Sequence, residues 1–109
     1  MKIFIPTKHE SPDATVDSTF GRCQYLLFAD TENGKTYQYE NTYRNENSGA
    51  GTQVAQAVIA EGAEVVLSKE IGPKAQDVLQ GANVKAYYVD NVLVSEALEL
   101  FKKGDLKSL

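Results

Sequence analysis

The residues of this chain best placed to do chemistry are glycines at predicted helix starts, not nucleophiles. Gly49-Ala50-Gly51 and Ile71-Gly72-Pro73 each precede an amphipathic stretch. A helix start leaves its first N–H groups unpaired and carries the positive end of the helix dipole, so it favours an anion. Glycine at such a start lets a ligand approach the backbone closely. Arg22, directly after Gly21, offers a forked guanidinium to a carboxylate or an acidic cofactor, and Lys74 adds a charge beside the second helix start. His9 and Cys23 are the side chains with metal-ligating chemistry, with Glu10 and Asp13 as acidic neighbours. One imidazole and one thiol do not make a metal site by themselves. No nucleophilic triad is supported, because the single histidine lies near no serine or cysteine elbow.

Composition narrows the class of partner. The chain has 109 residues and 42% hydrophobic content, enough for one core and hence one domain over residues 1–109. A formal charge of -4 lacks the positive field that phosphate backbones require, so nucleic acid is not an expected partner. The longest apolar runs, residues 25–29 and 84–89, fall far short of the roughly 20 residues of a membrane span. Met1-Lys2 leads straight into Ile3-Phe4-Ile5-Pro6 with no leader-like apolar stretch, and a lone cysteine excludes an intrachain disulfide. A cytoplasmic location is the expectation.

The elements that must position these residues follow from periodicity. Lys2 to Pro6 predicts a first strand ending at its proline, and residues 7–19 have loop composition, of a length often functional or mobile. Residues 24–30 predict a strand apolar on both faces, and residues 35–41 a half-exposed edge strand bearing Tyr37 and Tyr39. Asn33-Gly34 between them predicts a two-residue type I′ hairpin. Residues 52–61 then predict a helix, 65–67 a strand, a second helix from Gly72-Pro73 to Gly81, a strand over 83–89, and a third helix capped by Asp90 or Asn91. Ile3, Ile5, Leu26, Phe28, Val58, Val65, Leu67, Val78, Leu98 and Phe101 are the expected core. The order is β-β-β-α-β-α-β-α, a five-stranded mixed sheet with helices on both faces.

Phe20-Gly21-Arg22 before a strand, Gly49-Ala50-Gly51 opening a helix, Glu61-Gly62-Ala63 before Val65-Val66, and Ile71-Gly72-Pro73 with Ala75 together resemble the dinitrogenase iron-molybdenum cofactor biosynthesis family. The likeness runs over nearly the whole chain, from about Ile3 to Leu106. It implies a ribonuclease H-like three-layer α/β/α fold. It also implies a non-catalytic carrier or scaffold for an anionic iron-sulfur or iron-molybdenum cluster, with a cofactor-assembly protein as partner. Members of this family commonly carry histidine before the Phe-Gly-Arg triplet and histidine or cysteine near the glycines. Thr19, Asn47 and Ser48 stand at those positions here.

Three readings follow: a metallocluster carrier, a small-anion or metabolite module on the same fold, and a protein-interaction domain with Tyr37, Tyr39 and Tyr43 at its edge. The fold also hosts two-metal nucleases, but these need a carboxylate on the first strand, and Lys2 to Pro6 has none. The expected site is an anion held by the backbone of Gly49, Ala50, Gly51, Ile71 and Gly72, with Arg22 supplying charge and His9 or Cys23 as accessory metal ligands.

Overall fold

The computed structural model describes all 109 residues. Its elements are β1 (Lys2–Thr7), β2 (Tyr25–Asp30), β3 (Thr36–Glu40), α1 (Ala50–Ala60), β4 (Val65–Ser68), α2 (Pro73–Gly81), β5 (Lys85–Tyr88) and α3 (Val94–Lys103). The strands form one sheet in the order β3-β2-β1-β4-β5. β1, β4 and β5 run parallel, and β2 is antiparallel to both β1 and β3. This is the mixed sheet of a ribonuclease H-like three-layer α/β/α fold, in the element order that the periodicity predicts.

Alternation along the strands sorts the core into two halves. Phe4, Leu26, Phe28 and Val66 face one way and pack with Val54, Ala55 and Val58 of α1 and Ala75 and Leu79 of α2. Ile3, Ile5, Leu27, Ala29, Val65 and Leu67 face the other way, toward Val94 and Ala97 of α3. The strands are apolar on both faces because both faces are covered. Seven of the ten expected core residues are buried, whereas Val78, Leu98 and Phe101 are half-buried at the margins of the two clusters.

Several local expectations are corrected. The β2–β3 connection is not a two-residue turn. The Asp30 N–H donates to Lys35 O and the Gly34 N–H to Asp30 O, both at 2.9 Å, so residues 31–34 form the loop. Only Gly34 has positive φ, at 70°. Asn33 instead accepts the Lys35 N–H through Oδ1 at 2.9 Å, and Asp30 does the same for Glu32. These two side-chain turns favour the longer loop over type I′. Pro6 lies inside β1, opposite Leu26 and beyond the stretch of β1 that pairs with β4, so its missing N–H leaves no gap in that ladder.

α1 begins two residues earlier than expected, after Gly49 with φ 80°. β5 is shorter than the 83–89 run, and neither Asp90 nor Asn91 caps α3. Asp13 does so from the preceding long loop, accepting the Ser95 N–H and Oγ–H at 2.9 Å each. That loop is tied down at further points: Val16 N–H to Val92 O at 2.9 Å, Asp17 N–H to Pro6 O at 2.8 Å and Val94 N–H to Ala14 O at 2.9 Å. At the far edge, the Tyr88 N–H donates to Lys107 O and the Leu109 N–H to Ala86 O, so the chain's last residues cover β5. No helix is long and apolar enough to cross a membrane.

Phe28 is 1% exposed and its ring meets Phe4 at 5.3 Å and Tyr39 at 6.0 Å between centroids. Phe28→Ala is expected to cost about 3–5 kcal/mol of unfolding free energy through the cavity it leaves. Urea denaturation checks this, and a loss below about 1 kcal/mol would contradict the packing.

Candidate functional site

Three connections meet at the sheet edge where β1 and β4 end. One enters β2 through Phe20-Gly21-Arg22, one leaves β3 and reaches α1 through Gly49, and one joins β4 to α2 through Glu70, Ile71 and Gly72. The edge is shared because Thr7 pairs with Tyr25, and Tyr25 with Glu40, which puts the end of β1, the start of β2 and the end of β3 side by side. Together the connections line a cleft of about 320 Å³: Thr19, Phe20, Gly21, Arg22, Gly49, Ala50, Gly51, Glu70 and Gly72. Sequence-predicted Arg22, Gly49, Ala50, Gly51 and Gly72 are therefore brought together. Ile71 stands in the same connection with its side chain buried in the core, leaving only its backbone to serve the cleft.

The cleft exists because its walls are small. A Cβ on Gly21 would lie 2.6 Å from the Gly51 Cα and N, so only glycine lets this turn rest on the first turn of α1. A Cβ on Gly51 would stand 3.6 Å from the Ala75 Cβ, which brings the starts of α1 and α2 alongside each other. Phe20 fixes the turn from beneath, 3% exposed, with its ring edge-to-face on Phe4 at 5.6 Å. Asp17 fixes it from the side: Oδ1 accepts the Thr19 N–H and Oγ–H at 3.1 and 3.3 Å, and Oδ2 accepts the Gln24 N–H at 3.3 Å.

The chemistry on offer is donation from backbone. The Ala50, Gly51 and Thr52 N–H groups open α1, Lys74 and Ala75 open α2, and none has a carbonyl acceptor in the chain; the same holds for Ile71 and Gly72. Neither helix has an acidic residue in its first turn. Arg22 is the only cationic side chain lining the cleft and Glu70 the only anionic one. The guanidinium is already engaged, donating to Arg44 O at 2.6 Å and Glu46 O at 2.9 Å. Glu70 was not legible as a site residue, because nothing in Lys69-Glu70 distinguishes it from a solvated pair.

The candidate metal ligands do not assemble into a site. His9 is exposed in the long loop, and its Nε2 accepts the Thr15 N–H at 3.4 Å. Cys23 is 0% exposed, its Sγ set against Tyr25 O at 3.4 Å and the Asn41 Nδ2 at 3.7 Å. No group of three or more His, Cys, Asp and Glu side chains is placed to hold a metal ion. Burial, with the nearby Asp17 carboxylate as the second cause, pushes the Cys23 thiol up from 9.0 to about 12.

Residues 1–104 match the family model described as dinitrogenase iron-molybdenum cofactor. The chain belongs to this family. A curated relative, the uncharacterized protein MJ0580 of Methanocaldococcus jannaschii, is 30% identical over 110 residues, spanning 98% of this chain and 90% of its own length. The apo form of the orange protein from Desulfovibrio gigas superposes with a TM-score of 0.94 at 27% identity, over 99% of this chain and 92% of that one. The NifB-like protein TM1290 of Thermotoga superposes with a TM-score of 0.86 at 30% identity, with the same coverage.

Two predictions follow from this geometry. Gly21→Ala is expected to destabilise by about 1–3 kcal/mol, since the turn and α1 must move apart, whereas Gly51→Ala, with an ordinary 3.6 Å contact, is expected to cost nothing. Thermal unfolding of the pair checks the contrast. For Cys23, the unfolded thiol loses its proton near pH 9 while the folded one keeps it to about pH 12. The folded state therefore holds the extra proton, the slope of stability with pH is negative in that window, and up to about 1.4 kcal/mol is lost per pH unit. Below pH 9 this group contributes no slope. Urea denaturation at pH 8 and pH 10.5 should show the stability of the native chain falling relative to Cys23→Ala, and parallel curves would overturn the assignment.

Proposed function

We propose that this protein is a non-catalytic carrier for an anionic metallocluster of the iron-sulfur or iron-molybdenum type, bound in the cleft between the starts of α1 and α2. The observation that carries the reading is the convergence of two helix N-termini, with their unpaired N–H groups, on one cleft walled by Gly21, Gly49, Ala50, Gly51 and Gly72. Family membership supports the cargo, and the description of the orange protein in an apo form points to a loaded state in a relative. The donor set suits an anion more than a bare metal ion. Without a cluster of soft side chains, the cargo arrives with its own sulfide or oxide ligands and is held by hydrogen bonds from the backbone of Gly49, Ala50, Gly51, Ile71 and Gly72. Arg22 stands at the wall of the same cleft.

A second reading, a small-anion or metabolite module, is favoured by Thr19, Asn47 and Ser48 and by the absence of an assembled ligand set. Both readings use the same N–H groups, and a cofactor-assembly protein is the partner only under the first.

Anaerobic purification followed by iron, molybdenum and sulfide analysis separates them. The carrier reading expects metal and sulfide to stay with the native chain and to be lost from folded Gly51→Val, whose methyl groups would fill the space toward Ala75. Equal retention by both chains would place the metal elsewhere. A native chain that retains no metal, yet shows anion-dependent amide shifts at Ala50, Gly51 and Thr52, would assign the cleft to a small anion.

A further inference from the structure

Behind the cleft, outside its lining, sits a polar side chain that no part of the binding surface explains. Asn41 is 1% exposed, and burying an amide is costly unless its groups are paired. Its Nδ2 donates to Gly21 O and Cys23 O at 3.0 Å each, and its Oδ1 accepts the Tyr43 N–H at 3.0 Å. One amide therefore fastens the turn at residues 20–23 to the start of the segment at residues 42–48. Arg22 fastens the same two pieces farther along, through Arg44 O and Glu46 O. That segment ends at Gly49, the residue from which α1 starts.

We infer that Asn41 and Arg22 are positioning residues of the anion cleft, a clasp that locks residues 42–48 onto the Gly21 turn and so aims the first N–H groups of α1. The inference rests on the anion-binding reading proposed above. It gives Arg22 a role different from that of a counter-charge, since its donors point to loop carbonyls. The fork matters here: Nη1 serves the Arg44 carbonyl and Nη2 the Glu46 carbonyl from one rigid plane, a two-nitrogen geometry that the single ammonium nitrogen of lysine does not reproduce. Asn41 requires its donor side, because a carboxylate there would replace the one Nδ2 by an oxygen set against both the Gly21 and Cys23 carbonyls.

The test compares native protein with Arg22→Lys, Arg22→Gln and Asn41→Asp, using tetrathiomolybdate as the simplest soluble anion of molybdenum and sulfide, and inorganic phosphate as the sulfur-free control. Arg22 is exposed, so its variants keep the fold even where the buried Asn41→Asp does not. Without ligand, the clasp expects the amide signals of Gly49, Ala50, Gly51 and Thr52 to shift in the variants while those of Lys74 and Ala75 stay in place. With ligand, both Arg22 variants are expected to bind about tenfold more weakly and to the same extent, the scale of one lost hydrogen bond to a charged group. Native-like binding by Arg22→Lys beside weak binding by Arg22→Gln would overturn the clasp in favour of a counter-charge. Unshifted α1 signals in the ligand-free variants would also overturn it. If neither anion moves the native Ala50, Gly51 and Thr52 signals, the binding reading fails, while the ligand-free spectra still decide whether the clasp exists.

Discussion

Everything in this structure is referred to β1, which is paired on both sides and covered on both faces. Its residues Ile3, Phe4 and Ile5 are 0% exposed, with β2 antiparallel on one side and β4 parallel on the other. The parallel neighbour β4 is entered through the crossover helix α1, so β4 ends and α2 starts at the edge where β1 ends, and the antiparallel neighbour β2 starts from that same edge. The connections that form the cleft are thus neighbours because of how β1 is paired, before any attraction between them. Brief strands suffice here, since alternating side chains supply a packed layer on each face.

The cleft itself is a region where the chain gives up side chains. Gly21, Gly49, Gly51 and Gly72 and the buried Ala50 leave a wall of peptide groups, while the stabilising mass sits one layer below in Phe20, Phe4 and Phe28. A surface of backbone donors is rigid only if the turns bearing it are held. Asp17 and Asn41 do this, each accepting or donating several bonds from a buried position. Glu70 works against an anion at the rim, but it is exposed, so solvent and salt screen it.

What the sequence made legible was whatever depends on nearby residues. The run apolar on both faces in Tyr25–Asp30, period-two alternation in Thr36–Glu40, the proline at the first position of α2 and the apolar face of Val54, Ala55 and Val58 are local signals, and each element stands within two residues of where they put it. The convergence of Gly49, Gly51 and Gly72 could be reasoned from strand direction alone. What was hidden depends on distant partners. The cap of α3 comes from Asp13, 82 residues before Ser95, whereas the local sequence points to Asp90 or Asn91. Arg22 reads as a ligand for an anion until the carbonyls of residues 44 and 46 are seen beside it. Asn41 looks like the end of an edge strand, and only its burial reveals how many groups it satisfies.

The sealing of Cys23 bears on how a cargo would leave. A protonated thiol with no exposed surface cannot attack a metal–sulfur bond, so under the carrier reading the chain contributes no competing thiolate. The guest would keep its own ligand shell from loading to delivery. Its residence time would then be set by the breaking of several hydrogen bonds, with no ligand-substitution step at the metal, and a recipient offering its own thiolates could draw the guest away along a one-way gradient of bond strength.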